Sequence, residues 1–143
     1  MTGVDMIGVY HHSLDAKGRL FIPARLREEL GETFYVTIST ERCLTAYSIE
    51  IWDRLVEKVK ALSLTEQKKA RMLFAYAAKC ELDGQGRILL PQPLREFAEL
   101  EKSVTIAGTG AVVEIWDSKK WADIFEEEAT PESMAKMLEE LGI

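Results

Sequence analysis

Asp15-Ala16-Lys17-Gly18-Arg19-Leu20-Phe21-Ile22-Pro23 returns as Asp83-Gly84-Gln85-Gly86-Arg87-Ile88-Leu89-Leu90-Pro91, each position displaced by 68 residues. The same displacement matches Leu26, Arg27 and Glu28 with Leu94, Arg95 and Glu96, and Val36, Thr37 and Ile38 with Val104, Thr105 and Ile106. Glu50-Ile51-Trp52-Asp53 is then echoed by Glu114-Ile115-Trp116-Asp117 at a displacement of 64, which reads as a loss of four residues from the loop between the matched strands of the second copy. A duplicated unit in one chain points to a pseudo-twofold object with two equivalent surfaces.

Working outward from the motif, Ile7 to Leu14 alternates as a strand and Arg19 to Ile22 forms a second, so the turn from Asp15 to Gly18 predicts a hairpin. Pro23 fixes φ and lacks an amide hydrogen, which suits the start of a short helix through Leu30 ended by Gly31. Strands are expected from Phe34 to Ser39 and from Leu44 to Tyr47. Ser48 is positioned to cap a helix from Ile49 to Leu62, whose Ile51, Trp52, Leu55, Val56, Val59 and Leu62 share one face. Ser63 and Glu66 form a capping-box signal for a further helix to about Ala78. The second copy repeats the order: strands Lys79 to Leu82 and Arg87 to Leu90, a short helix from Pro91 or Pro93, strands near Val104 and Val112, and a helix after Asp117. Thr130-Pro131-Glu132 opens a last helix, closed by Gly142. With no low-complexity linker, the two copies are expected to share one core.

The motif has its own turn chemistry. A four-residue Asp-to-Gly connection fits a type I turn followed by a glycine bulge, with Asp at the first position and Gly accepting positive φ at the last. Gly18 and Gly86 take that role. The arginine after each glycine lies four residues from the aspartate, close enough for an ion pair across the neck. Turn geometry thus accounts for Asp15, Gly18, Asp83 and Gly86; it leaves Lys17, Arg19 and Arg87 asking for a partner, and pairing of the copies would bring those three cations together.

The chain has 143 residues, 47% of them hydrophobic and 29% charged, which is enough for an ordinary globular core. No apolar run approaches the ~20 residues that span a bilayer, and Met1-Thr2-Gly3-Val4-Asp5 lacks the basic stretch of a secretion signal, so a cytoplasmic, non-membrane protein is expected. Cys43 and Cys80 have no CxxC spacing and read as buried, reduced thiols. The net charge of −6 is unevenly placed: residues 114 to 143 hold nine acids against three lysines, whereas the preceding 113 residues hold 15 of each sign. From Lys68 to Arg95 there are six cations and two acids. It is this local field that an anion meets.

The doubled pattern of Leu, Asp, two variable residues, Gly, Arg, apolar residues and Pro resembles the MraZ family, over nearly the whole chain from Ile7 to Trp121. The resemblance implies an α+β fold made of two pseudo-twofold-related AbrB-like (SpoVT-AbrB) swapped-hairpin β-barrel repeats with flanking helices around one compact core. The repeats would span residues 7–53 and 79–121, with connecting helices over 54–78 and an acidic helical tail over 122–143. It further implies a bacterial, nucleoid-associated transcription regulator that binds double-stranded promoter DNA at short direct repeats upstream of the cell-division and cell-wall operon containing its own gene. The family's assembly implies self-association into a ring of about eight subunits that offers several hairpins to repeated sites.

By that resemblance Asp15, Arg19, Asp83 and Arg87 match paired DXXXR motifs, and Lys17, Arg19 and Arg87 match positions implicated in DNA contact. The remaining DNA-facing candidates are Arg25, Lys79 and Arg95. Because Gln85 stands where the first copy has Lys17, the two halves make unequal phosphate contacts and the first is expected to be the stronger. Whether a guanidinium reads guanine or clamps phosphate is open at this level. No cofactor, metal or small-molecule substrate is expected: His11 and His12 point to opposite faces of a strand without a third ligand, and no nucleophile constellation or phosphate loop suggests an enzyme. Trp52, Trp116 and Trp121 read as core or interface anchors on helices. Two rival readings remain: a scaffold whose acidic C-terminal helices hold a protein partner while the hairpins only oligomerise, and an antitoxin-like module of the same fold.

Overall fold

The alternation in Met6–Ser13 makes a strand, β1, yet its partner is not the strand that follows. The computed structural model describes residues 5–143; residues 1–4, part of the stretch read for a secretion signal, lie outside the described residues. In chain order the first copy continues with β2 (Arg19–Phe21), α1 (Ala24–Leu30), β3 (Thr33–Ile38), β4 (Leu44–Ser48) and α2 (Ile49–Lys60). Two short helices, α3 (Leu64–Gln67) and α4 (Arg71–Ala75), flank a 3-10 turn at Lys68–Ala70. The second copy supplies β5 (Ala78–Glu81), β6 (Arg87–Leu89), α5 (Gln92–Phe97), β7 (Ser103–Gly110), β8 (Val113–Asp117), α6 (Ser118–Glu128) and α7 (Pro131–Glu140).

The strands pair across the copies. A six-stranded antiparallel sheet has the order β1-β7-β8-β4-β3-β5, and β2 pairs with β6 in a separate two-stranded ribbon. Exchanging the copies maps this order onto itself, with the pseudo-twofold passing between β4 and β8 and through the Leu20–Ile88 pair of the ribbon. The expected hairpin is therefore corrected in part. Its turn forms, with Asp15 N–H donating to Arg19 O at 3.0 Å, but its two arms then separate to opposite partners. Such exchange of arms is the swapped arrangement expected from the resemblance. Barrel closure is not seen among the described residues, since backbone pairing gives an open sheet and a ribbon.

One core serves both halves. Leu20, Ile22, Leu26, Leu30, Phe34 and Val36 from the first copy meet Ile88, Leu90, Leu94, Ala98, Val104 and Ile106 from the second, all buried. The helix starts follow from their caps: Ser48 Oγ accepts from Ile51 N, Ser63 Oγ from Glu66 N, and an Asp117 carboxylate oxygen from Lys119 N. Pro23 and Pro91 precede α1 and α5, and Gly31 ends α1 at φ 85°.

Three expectations are overturned. The helix predicted from Ser63 to Ala78 breaks at Lys68–Ala70 and ends at Ala75. The break turns α4 onto β3, where Thr37 Oγ1 donates to Leu73 O at 2.6 Å and Phe74 meets Trp52 edge-on at 5.6 Å. Second, the Glu-Ile-Trp-Asp echo is not a structural equivalence, because Glu50–Asp53 lies in α2 whereas Glu114–Asp117 lies in β8. Val36 faces Ala46 while its counterpart Val104 faces Asp117, so the second hairpin is longer than the first and has lost nothing. Third, Trp116 is consequently a buried strand residue, with Trp52 buried on α2 and Trp121 half-buried on α6.

Cys43 and Cys80 are buried free thiols; burial pushes Cys43 up to about 12 and Cys80 up to about 11, so both stay protonated. Among the described residues no helix is long and apolar enough to cross a membrane.

Candidate nucleic-acid interface

The ribbon of β2 and β6 sorts its six residues by face. Leu20 and Ile88, opposite each other at its centre, point into the core with 0% and 1% exposure. Alternation then sends Arg19 and Phe21 of β2, with Arg87 and Leu89 of β6, to the outer face. In the register Arg19 lies opposite Leu89 and Arg87 opposite Phe21, so the two arginines sit diagonally about the pseudo-twofold. Leu89 is 59% exposed, an apolar residue left in solvent beside two cations.

Each arginine is aimed by its own turn. In the first copy one Asp15 oxygen accepts from Lys17 N at 2.9 Å and Arg19 N at 2.8 Å, and the other accepts from Arg19 Nε at 2.7 Å. In the second, Asp83 accepts from Gln85 N at 2.8 Å, Arg87 N at 2.9 Å and Arg87 Nε at 3.0 Å. Gly18 and Gly86 close the turns at φ 85° and 77°, the left-handed region where a side chain is strained. Hydrogen bonds to the charged form hold both carboxyls below the usual aspartate value: the Arg19 amide leads for Asp15 and the Arg87 amide for Asp83, with each guanidinium adding to them. These half-exposed, solvent-screened pairs contribute little to stability. Their consequence is directional. Binding through Nε leaves the terminal nitrogens of Arg19, and Nη2 of Arg87, without a hydrogen-bond partner among the described residues.

The two halves are tied but not identical. Arg87 Nη1 also reaches Asp15 at 4.0 Å, an ion pair that crosses between copies. Lys17 is exposed at the first turn, and Gln85, its counterpart, is uncharged. Of the other predicted residues, Arg25 is exposed on α1 and Lys79 is exposed on β5, opposite Tyr35. Arg95 differs: its side chain lies beneath the first-copy turn and its Nε donates to Leu90 O at 2.9 Å. The structure thus brings Arg19 and Arg87 together with Lys17 beside them. The sequence reading missed Arg27, which holds the same place under the second turn, and the outer-face residues Phe21 and Leu89. The 68-residue displacement that joins Arg27 to Arg95 was a signal sufficient to find Arg27.

His11 and His12 are engaged elsewhere, His11 Nδ1 lying 2.9 Å from Thr105 Oγ1 and His12 packing 5.0 Å from the Phe21 ring.

Comparison with known proteins gives the same doubling. A family model described as "MraZ protein, putative antitoxin-like" matches the chain twice, over residues 6–75 and 73–141. The chain is 47% identical over 140 residues to a transcriptional regulator MraZ of Acetivibrio thermocellus, covering 95% of this chain and 98% of that one. It is 52% identical over 118 residues to the protein of that name from Carboxydothermus hydrogenoformans, covering 80% and 82%. The Heliobacterium modesticaldum protein of the same name is 51% identical over 128 residues, covering 87% and 89%. Two successive family matches and near-half identity across most of both chains place the sequence on one side of a clear line: the chain belongs to the MraZ family of transcriptional regulators.

Proposed function

We propose that the outer face of the β2–β6 ribbon binds double-stranded promoter DNA in a sequence-specific way. The observation that carries this reading is the diagonal pair Arg19 and Arg87, both held through Nε by their turn aspartates, with Lys17 exposed alongside. A two-stranded ribbon is narrow enough to enter the major groove, where an arginine with free terminal nitrogens can bond guanine O6 and N7. Lys17, Arg25 and Lys79 are the proposed phosphate contacts around it. The site recognises short direct repeats upstream of the operon that contains the protein's own gene, and no catalytic step is involved.

Self-association completes the proposal. In α7 and just beyond it, Met134, Met137, Leu138 and Leu141 form an exposed apolar stripe at helical spacing. The helices α6 and α7 carry seven acids against three lysines. Residues 58–77 carry the opposite balance, five cations against Glu66, beside exposed Leu62, Leu64, Met72 and Tyr76. The first-copy helices of one subunit thus complement the C-terminal helices of the next. Head-to-tail contacts of this kind close into rings, and a ring of about eight subunits gains DNA affinity from several weak ribbons acting at once.

The test is titration of a duplex taken from the DNA upstream of the gene, at several salt concentrations. Binding that weakens steeply with salt is expected, and Arg19→Ala should abolish it with the assembly intact. No shift by the wild-type protein at low salt would end the regulator reading. Loss of the oligomer in Arg19→Ala would favour the rival in which the ribbon only holds subunits together and α7 serves a protein partner.

A further inference from the structure

Arg27 in α1 and Arg95 in α5 both reach across the pseudo-twofold to the turn of the other copy. A Cβ placed on Gly18 would lie 2.9 Å from Cζ and Nε of Arg95, and one placed on Gly86 would overlap Nη1 of Arg27. Each guanidinium therefore fills the space that the opposite turn's glycine leaves open. The backbone follows the same crossing: Ile22 N donates to Gly86 O and Leu90 N to Gly18 O, both at 2.9 Å. Arg95 closes its circuit, since the Leu90 whose amide holds Gly18 also accepts from Arg95 Nε. Arg27 instead lies with Cζ 5.2 Å from the Phe21 ring, and its buried Nε has no hydrogen-bond partner. A buried donor left unpaired is costly and calls for a compensating contact. Simple solvation of a helix-surface arginine does not account for that arrangement; packing against the Gly86 turn and Phe21 does.

We propose that Arg27 and Arg95 are cross-repeat positioning residues, each packing its guanidinium plane under the turn glycine of the other repeat and so fixing the spacing of Arg19 and Arg87. The inference rests on the DNA-binding reading of the ribbon and moves Arg95 from a DNA contact to a support. It also gives the glycine of the repeated motif a second reason to be glycine, in addition to its φ: the partner arginine occupies the position of its side chain.

Two measurements on the full chain test it. The first needs no DNA: amide hydrogen exchange at the two turns in Arg27→Ala and Arg95→Ala. Arg27→Ala should speed exchange at Gln85, Gly86 and Arg87 by roughly tenfold while sparing Lys17, Gly18 and Arg19, and Arg95→Ala should do the reverse. Loosening of each variant's own turn, or of both turns equally, would overturn the crossing. The second is affinity for the upstream duplex. Arg27→Ala should weaken binding about tenfold with the slope of log affinity against log salt unchanged, whereas Lys17→Ala, at a proposed phosphate contact, should reduce that slope by about 0.9. A slope reduced by a full charge in Arg27→Ala would make Arg27 a phosphate contact and refute the positioning role. Arg27→Lys keeps the charge and loses the plane, so it should bind as weakly as Arg27→Ala; full recovery by lysine would equally refute it. Should the wild-type protein bind no DNA, the functional reading falls, and the exchange pattern alone decides whether the arginines hold the turns.

Discussion

At the scale of single residues, the two aspartates of the repeated motif act through geometry. Each gathers two backbone amides and one guanidinium, which explains why its carboxyl is held below the ordinary value of 3.8. A group whose native value is depressed contributes stability above its unfolded value and loses it as pH falls through the native one. The contribution of Asp15 and Asp83 should thus be complete at neutral pH and disappear below about 3.8. In calorimetric melts from pH 7 downward, the double variant Asp15→Asn, Asp83→Asn should melt below the wild type at neutrality, with the gap closing under acid conditions. A gap that does not change with pH would show that the charge plays no part in the turn. The residue scale is also where the sequence was most legible: both turns, their glycines, the arginine ion pairs and the placing of Arg19 near Arg87 could be read from motif spacing. The position of Arg95 could not, because a guanidinium packing under a glycine of another copy leaves no periodic trace in its own helix.

Among the elements, those with local signals were found within a residue or two. Ser48, Ser63 and Thr130 cap α2, α3 and α7, and their hydroxyls accept from the amides three residues on. Elements whose form depends on tertiary partners were misread. The break between α3 and α4 is set by the docking of Leu73 and Phe74 on β3 and Trp52, which an unbroken apolar stripe does not reveal. Likewise the Glu-Ile-Trp-Asp echo joins a helix to a strand; four identical letters carry less structural information than the hydrogen-bond register around them. The β1–β7 ladder has its own requirement at Gly108, which faces Gly8. A Cβ there would lie 2.5 Å from Ile7 N and Met6 C, backbone atoms of the neighbouring strand with no flexible side chain to move aside. Gly108→Ala should force β1 outward and destabilise the fold by about 1–3 kcal/mol, measurable as a lower urea midpoint. Gly84→Ala is the control, since a Cβ at Gly84 meets nothing within 4 Å. Equal midpoints for the two variants would show that β1 yields freely.

For the molecule as a whole, the crossing of strands means that neither copy contains its own sheet. In the first copy β1 needs β7, β2 needs β6, and β4 has β8 on its outer side, so that among the described residues β3–β4 is the only pair left when the second copy is removed. A chain ending at residue 77 should accordingly not exist as a folded monomer. Two such chains could still satisfy each other, because the ribbon register is self-complementary: replacing β6 by a second β2 sets Leu20 against Leu20 and Arg19 against Phe21. The other junction fits less well. Position 108 supplies the glycine that admits β1, and its counterpart by the 68-residue displacement is Thr40, which lies past the end of the shorter β3. A half-chain dimer would therefore lose the close β1 contact at Met6 and Ile7, and would also lose the effective concentration that joins the copies in one chain. Sedimentation and circular dichroism of the half chain should show a dimer that is less stable than the full chain and dissociates to unfolded monomer on dilution. A folded monomer would contradict the pairing, whereas a dimer as stable as the full chain would mean that the second copy's distinct residues, Gly108 among them, add nothing to the fold.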